Sequence, residues 1–168
     1  MYSNVYHIHP PTTVEAVGEL KKNDLVSADQ PHSHHHLRTA GLKSNGDAIS
    51  SRIPLLFNSD VVISKAHVTD SMDSLYRNGN ADEILFVHTG SGQFKSNFGM
   101  MDLTPGDYVI IPRGVIWQIE ATKDMRMLVI ESAAPIETPN RYRNEFGQLL
   151  EHSPFSERDI RTPEFVEP

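Results

Sequence analysis

Between residues 51 and 132 the chain is a succession of short apolar runs divided by turn-forming residues. That pattern constrains the fold more than any other feature, because runs of about four to eight β-prone residues bounded by Gly, Pro, Asn and Asp read as strands. RIPLLFN (52–58) and VVISKAHV (61–68) are joined through Asn58-Ser59-Asp60. EILFVH (83–88) and GQFKSNF (92–98) flank Thr89-Gly90-Ser91-Gly92, which reads as the turn of a hairpin. A second tight connection over Asn97 to Met100 leads into MMDL, and Thr104-Pro105-Gly106-Asp107 turns the chain into YVIIP (108–112), expected as a short buried strand. WQIEA (117–121) and RMLVIES (126–132), separated by Thr122-Lys123-Asp124, complete the set. Short strands at this spacing predict an all-β, antiparallel sandwich or small barrel.

The flanks differ in texture. Residues 1–50 form a polar arm broken by Pro10, Pro11, Pro31, Gly41 and Gly46, and residues 133–168 form an irregular tail with five prolines. Three regions follow: an arm with a short helix and a His-rich loop (1–50), a barrel (51–132) and a tail (133–168). Thr12 and Glu15 have capping-box spacing, and Val14, Val17 and Leu20 follow at helical intervals, so a short helix is predicted near 13–22. The tail retains Ile136, Tyr142, Phe146, Leu149, Leu150, Phe155, Ile160 and Phe165, which want a surface to cover on this domain or on a partner.

Composition narrows the chemistry. The 168 residues, at 18.9 kDa, suffice for one core. The absence of cysteine removes disulfides, zinc–thiolate sites and thiol nucleophiles. A net charge of −7 argues against nucleic acid and anionic membranes as partners. Neither a secretory signal nor an apolar run of membrane-spanning length is present, so a cytoplasmic protein is expected. Ser91 between Gly90 and Gly92 lacks the G-x-S-x-G context of a nucleophile elbow, and no phosphate-binding loop or dinucleotide fingerprint occurs.

Two motifs carry a resemblance. Glu83 is followed after six residues by Gly90, and Gly106 is followed by Pro112, Gly114 and, two residues on, Trp117. This resembles the two motifs of the cupin superfamily and implies a cupin-like double-stranded β-helix, a jelly-roll barrel. The metal part of the pattern is missing. Tyr76, Arg77, Asn78 and Gly79 stand where a His-x-His would precede the glutamate, and Trp117 replaces the terminal histidine. An indole N–H is a donor only, and one carboxylate does not supply the two-histidine, one-carboxylate face of a non-haem iron oxygenase. Glu83 is expected as an ion-pair partner of Arg77 or a strand-edge charge, and Trp117 as a core filler.

A narrower resemblance spans YHIHPPT (6–12), HHHLRT (34–39), SLYRNGNADEILFVHTGSG (74–92), LTPGDYVIIPRG (103–114), LVIES (128–132), RYRNEFGQLLEHSPFSERD (141–159) and RTPE (161–164). These stretches are similar to the N-terminal half of homogentisate 1,2-dioxygenases, particularly the bacterial forms. The resemblance implies a metal-free N-terminal half, with the ferrous iron held in a C-terminal half that 1–168 lacks. Family members also begin with an arm ahead of the stretch matching YHIHPPT. It further implies a homo-oligomer, and as partner the missing half or a neighbouring subunit. No cofactor and no catalytic residue is then expected in this chain, which alone would be inactive.

Three readings follow. The first is this non-catalytic portion of a ring-cleaving dioxygenase. The second is a standalone metal-free cupin that binds a small molecule or a protein at a barrel mouth lined by Tyr76, Arg77, Asn78, Glu83 and Trp117. The third takes a metal at the His32–His36 cluster, where His34 and His36 would share one side of a strand. Without a third ligand and a supporting hydrogen-bond shell, His34 and His36 are expected to take only an adventitious ion.

Overall fold

The computed structural model describes residues 6–8, 10, 12–19, 25–26, 31 and 33–166. Contacts divide the chain into two units, Met1–Gln30 and Pro31–Pro168. In the first unit the expected helix is not formed where the chain is described. Residues 13–19 have no regular structure, and 20–22 lie outside the described residues. Val14 and Val17 are exposed. The capping signal is present, but so short a helix is marginal without an apolar surface to pack on.

The second unit is all-β and antiparallel. Its strands are β1 (Ile53–Phe57), β2 (Val61–Val68), β3 (Tyr76–Arg77), β4 (Asp82–Ser96), β5 (Gly99–Leu103), β6 (Tyr108–Ile111) and β7 (Ile116–Ser132). They form one seven-stranded sheet in the order β1-β2-β7-β4-β5, with β3 also on β7 and β6 also on β4. The predicted hairpin over 83–98 is one continuous strand, and so are the two runs expected over 117–132. β4 and β7 pair along their length, with register shifts between Val87 and Gly92. The residues read as turns are therefore bulges that bend a long pair. Ser91 and Thr122 hydrogen-bond across this bend, hydroxyl to hydroxyl, at 2.9 Å.

The bend folds the inner face around the core. Leu85, Val87, Phe94, Leu103, Val109, Ile111, Trp117, Ile119, Met125, Met127 and Val129 are buried there. At Gly90, φ is +87°, and a Cβ would overlap the carbonyl oxygen of Asp124 on β7. A side chain at this position would push the two strands apart. β6, expected to be buried, is buried on one face only: Val109 and Ile111 point inward while Tyr108 and Ile110 are exposed.

The tail is irregular, with 3-10 turns at Asn140–Tyr142 and Glu157–Asp159, and two carboxylates hold it to the sheet. Asp82 accepts the backbone N–H of Ile136 at 2.9 Å and both the backbone and side-chain N–H of Arg113. Asp107 pairs with Arg161 at 2.6 Å. Further on, Met100 and Glu164 exchange backbone hydrogen bonds of 2.9 and 2.8 Å. Gly99 permits that approach, since a Cβ there would overlap the Glu164 carbonyl. Phe146 and Phe165 remain exposed, so the docked tail leaves part of its apolar surface uncovered.

Two outcomes are expected. Gly90→Ala should cost about 1 kcal/mol or more, lowering the melting temperature by a few degrees; an unchanged melt would show that the bend does not need glycine. Burial alone would raise the pKa of Asp82 and Asp107. Their backbone and arginine hydrogen bonds outweigh it and hold both below the usual carboxylate range. A folded pKa below the unfolded value stabilises fully above about pH 4, and that stability is lost as pH falls through the folded value. Acid should therefore release the tail first, read as early loss of the Met100 and Glu164 amide shifts by nuclear magnetic resonance.

Candidate functional site

Alternation along β4 puts Glu83, Leu85 and Val87 on the inner face, and along β7 it puts Met127, Val129 and Glu131 there. Glu83 and Glu131 are direct cross-strand partners. Two carboxylates opposite one another in a core repel and require a cation between them. Arg52 supplies it. Its Nη1 lies 2.6 Å from Glu83 and 3.7 Å from Glu131, with its side chain 10% exposed and that of Glu83 0%.

The turn ahead of β1 aims this guanidinium. The Asp47 carboxylate accepts the backbone N–H groups of Ile49 and Ser50 at 2.7 Å each. Arg52 Nε donates to the carbonyl of Ala48 at 2.9 Å. The guanidinium carbon then sits 5.7 Å from the Tyr76 ring centre and 6.0 Å from that of Trp117, within cation–π range. Trp117 donates its indole N–H to Glu83 at 3.3 Å, meets Tyr76 edge-on and stacks on Phe94. Asn78 donates its side-chain N–H to Glu131 at 3.1 Å. Burial, and then the charge of Glu83, push the Tyr76 hydroxyl above its ordinary pKa, so it stays protonated at neutral pH.

Of the five residues singled out in the sequence, the structure brings Tyr76, Asn78, Glu83 and Trp117 together. Arg77 is exposed, with its backbone in the β3–β7 ladder, and among the described residues the expected Arg77–Glu83 contact is replaced by Arg52–Glu83. Glu83 is an inner-face residue rather than a strand-edge charge, and Trp117 fills the core as expected. Both are fully buried, while Tyr76 and Asn78 are half-buried and the Glu131 side chain is 26% exposed, so the charge network lies beneath the surface with its Glu131 side toward solvent. Arg52 was not singled out, although Glu83 and Glu131 at inner-face positions both required a cation.

The donor set does not fit a ferrous ion. One oxygen of Glu83 is engaged by a guanidinium and the other by an indole N–H, and neither group can ligate a metal. His34 and His36 lie on an exposed segment, and among the described residues no three His, Cys, Asp or Glu side chains converge on a common point. Among the described residues no helix is long and apolar enough to cross a membrane.

The class defined by fold and site is an antiparallel β-domain whose one motif carboxylate is neutralised by an internal arginine. Residues 3–142 match the family described as homogentisate 1,2-dioxygenase N-terminal, and the chain belongs to that family. A relative from Saccharolobus solfataricus, named "Putative dioxygenase", is 40% identical over 96% of this chain and 42% of its own length. A homogentisate 1,2-dioxygenase from Rhodopseudomonas palustris is 38% identical over 33% of this chain and 12% of its own. The chain thus spans less than half the length of the Saccharolobus relative, and its match covers a smaller share of the Rhodopseudomonas one. Among solved structures, a cupin protein from Bacteroides fragilis is 18% identical over 67% of this chain and 93% of its own, with a TM-score of 0.48. A cupin-2 domain protein from Shewanella frigidimarina is 21% identical over 49% and 79%, with a TM-score of 0.45.

Removing Arg52 would leave buried Glu83 without its cation. Arg52→Ala is expected to destabilise the domain by roughly 3–5 kcal/mol in urea titration, and Arg52→Met with Glu83→Met to recover most of that loss. A small effect of Arg52→Ala alone would show that the pair does not organise the core.

Proposed function

We propose that this chain is the iron-free N-terminal portion of a homogentisate 1,2-dioxygenase-like protein. Such a protein opens the aromatic ring of homogentisate with molecular oxygen to give maleylacetoacetate, a step of tyrosine and phenylalanine breakdown. The observation that carries the reading is the family match over residues 3–142, joined to 40% identity with a dioxygenase-named relative of which the match covers only 42%. The bent sheet is read as a cupin-type double-stranded β-helix that keeps the scaffold and has exchanged the metal for a guanidinium. Ferrous iron is held outside residues 1–168. This portion shapes the fold and meets the rest of the protein or a neighbouring subunit, in the cytoplasm.

Oxygen consumption tests the reading. Residues 1–168, supplied with ferrous iron and homogentisate, are expected to consume no oxygen above buffer and to retain no stoichiometric iron. A longer gene product that includes the region corresponding to the rest of the Saccharolobus relative is expected to consume oxygen on adding homogentisate, and to stop when iron is chelated. Turnover by residues 1–168 alone, or none by the iron-loaded longer product, overturns the proposal.

A further inference from the structure

On the outer face of the sheet Leu56, Ile63, Ile130, Ile84 and Ile110 form an uncharged row across five strands. The rows beside it carry charge. Lys65 of β2 faces Leu128 of β7, which faces Phe86 of β4. One row further, His67 faces Arg126. Between Val87 and Thr89 the ladder of β4 with β7 skips a residue, and the extra one is His88. A bulge re-aims the side chain it carries, and His88 is exposed and lines the same cavity as Arg126. The Thr39–Gly41 turn walls off one side, because the Lys65 ammonium donates to the carbonyls of Thr39 and Leu42 at 2.6 and 2.8 Å. The result is a cavity of about 340 Å³, open to solvent, with Leu55, Phe86 and Leu128 as its apolar floor and Lys65, His88 and Arg126 as its basic rim. Among the described residues no carboxylate lines it, in a chain that has 22 acidic residues against 15 lysines and arginines.

We propose that this cavity binds a small aromatic carboxylate. Lys65 and Arg126 are diagonal neighbours on paired strands, about 7–8 Å apart, so one carboxylate can reach both. An ammonium has three N–H donors. Two of those on Lys65 are spent on carbonyls, which fixes the charge in place and leaves one donor for a ligand. Arg126 makes no ion pair among the described residues, and the Asp124 carboxylate lies outside the cavity, 3.9 Å from His67. Two cations held this close lack an anion, the mirror image of the Glu83–Glu131 pair that Arg52 neutralises. The floor decides the rest of the ligand. A hydrated inorganic anion gains nothing from Phe86 and Leu128, whereas a ring displaces water from them. An aromatic face also stacks on the Phe86 ring and on the Arg126 guanidinium, so a planar ring with its charge at one end suits both walls. The volume is at the lower end of the roughly 300–1,000 Å³ of small-molecule sites, which fits a single ring.

Titration of the 168-residue chain with benzoate, followed by backbone amide shifts in nuclear magnetic resonance, decides the matter. Saturable shifts are expected at Lys65, Phe86, His88, Arg126 and Leu128, with half-saturation at about 1 mM or below. Benzamide keeps the ring and loses the charge, while acetate keeps the charge and loses the ring. Each is expected to bind about tenfold or more weakly than benzoate. Arg126→Gln should weaken benzoate about tenfold through loss of a charge-assisted contact. Because Arg126 is exposed, the melting curve of that variant should stay close to wild type. Shifts confined to other parts of the chain overturn the proposal. So does acetate or benzamide binding as tightly as benzoate, or an unchanged benzoate affinity in Arg126→Gln. Neither iron nor oxygen enters this titration, so its failure leaves the ring-cleavage reading standing, and failure of that reading leaves this site untouched.

Discussion

The pairing of β4 with β7 is the constraint on which the rest of the second unit depends. One strand has fifteen residues and the other seventeen, and each serves two neighbours on its free edge. β7 carries β3 beside its first half and β2 beside its second, while β4 carries β6 and then β5. A straight pair of that length would run about 50 Å and could not enclose a core. Bulges between Val87 and Gly92 turn it back on itself, and Gly90 lets the backbones touch where it turns. The same bend brings Trp117, whose own partner across the ladder is Ser96, to Glu83 at the other end of β4.

Inside that bend lies a charge network rather than a fully apolar core. Glu83 and Glu131 face each other across the two long strands, and the guanidinium of Arg52 sits between them. A lysine could supply charge, but not the flat cation that lies against both Tyr76 and Trp117 while its Nε reaches the Ala48 carbonyl. The network ties the entry to β1 to strands β3, β4 and β7 through polar side chains of defined geometry. Breaking one member is costly because the others stay buried.

Much of this was legible locally. The bounds of β2 coincide with the run read from the sequence, and β1, β5 and β6 fall within a residue or two of theirs. What failed was non-local. Gly-Ser-Gly and Thr-Lys-Asp have the composition of turns, but a bulge uses the same residues, and only pairing between 82–96 and 117–132 decides which forms. The partner of Glu83 was sought at Arg77, six residues away, whereas the structure draws it from Arg52, thirty-one residues upstream. The helix near 13–22 had its capping signal but no surface for its valines.

The error over β6 is the most informative, because its cause lies in the sequence itself. YVII is apolar at every position, as are ILF in β4 and LVI in β7, and continuous apolarity ordinarily marks a strand buried on both faces. Here one face meets the core, while on the other Tyr108 and Ile110 meet solvent. Among the described residues the outer face of β6 is therefore more exposed than its continuous apolarity implies. On the inner face an arginine engages the motif carboxylate, whereas the outer face presents an uncharged row five strands wide. Chemistry at the inner site would first have to break a buried ion pair and leave Glu83 without its cation.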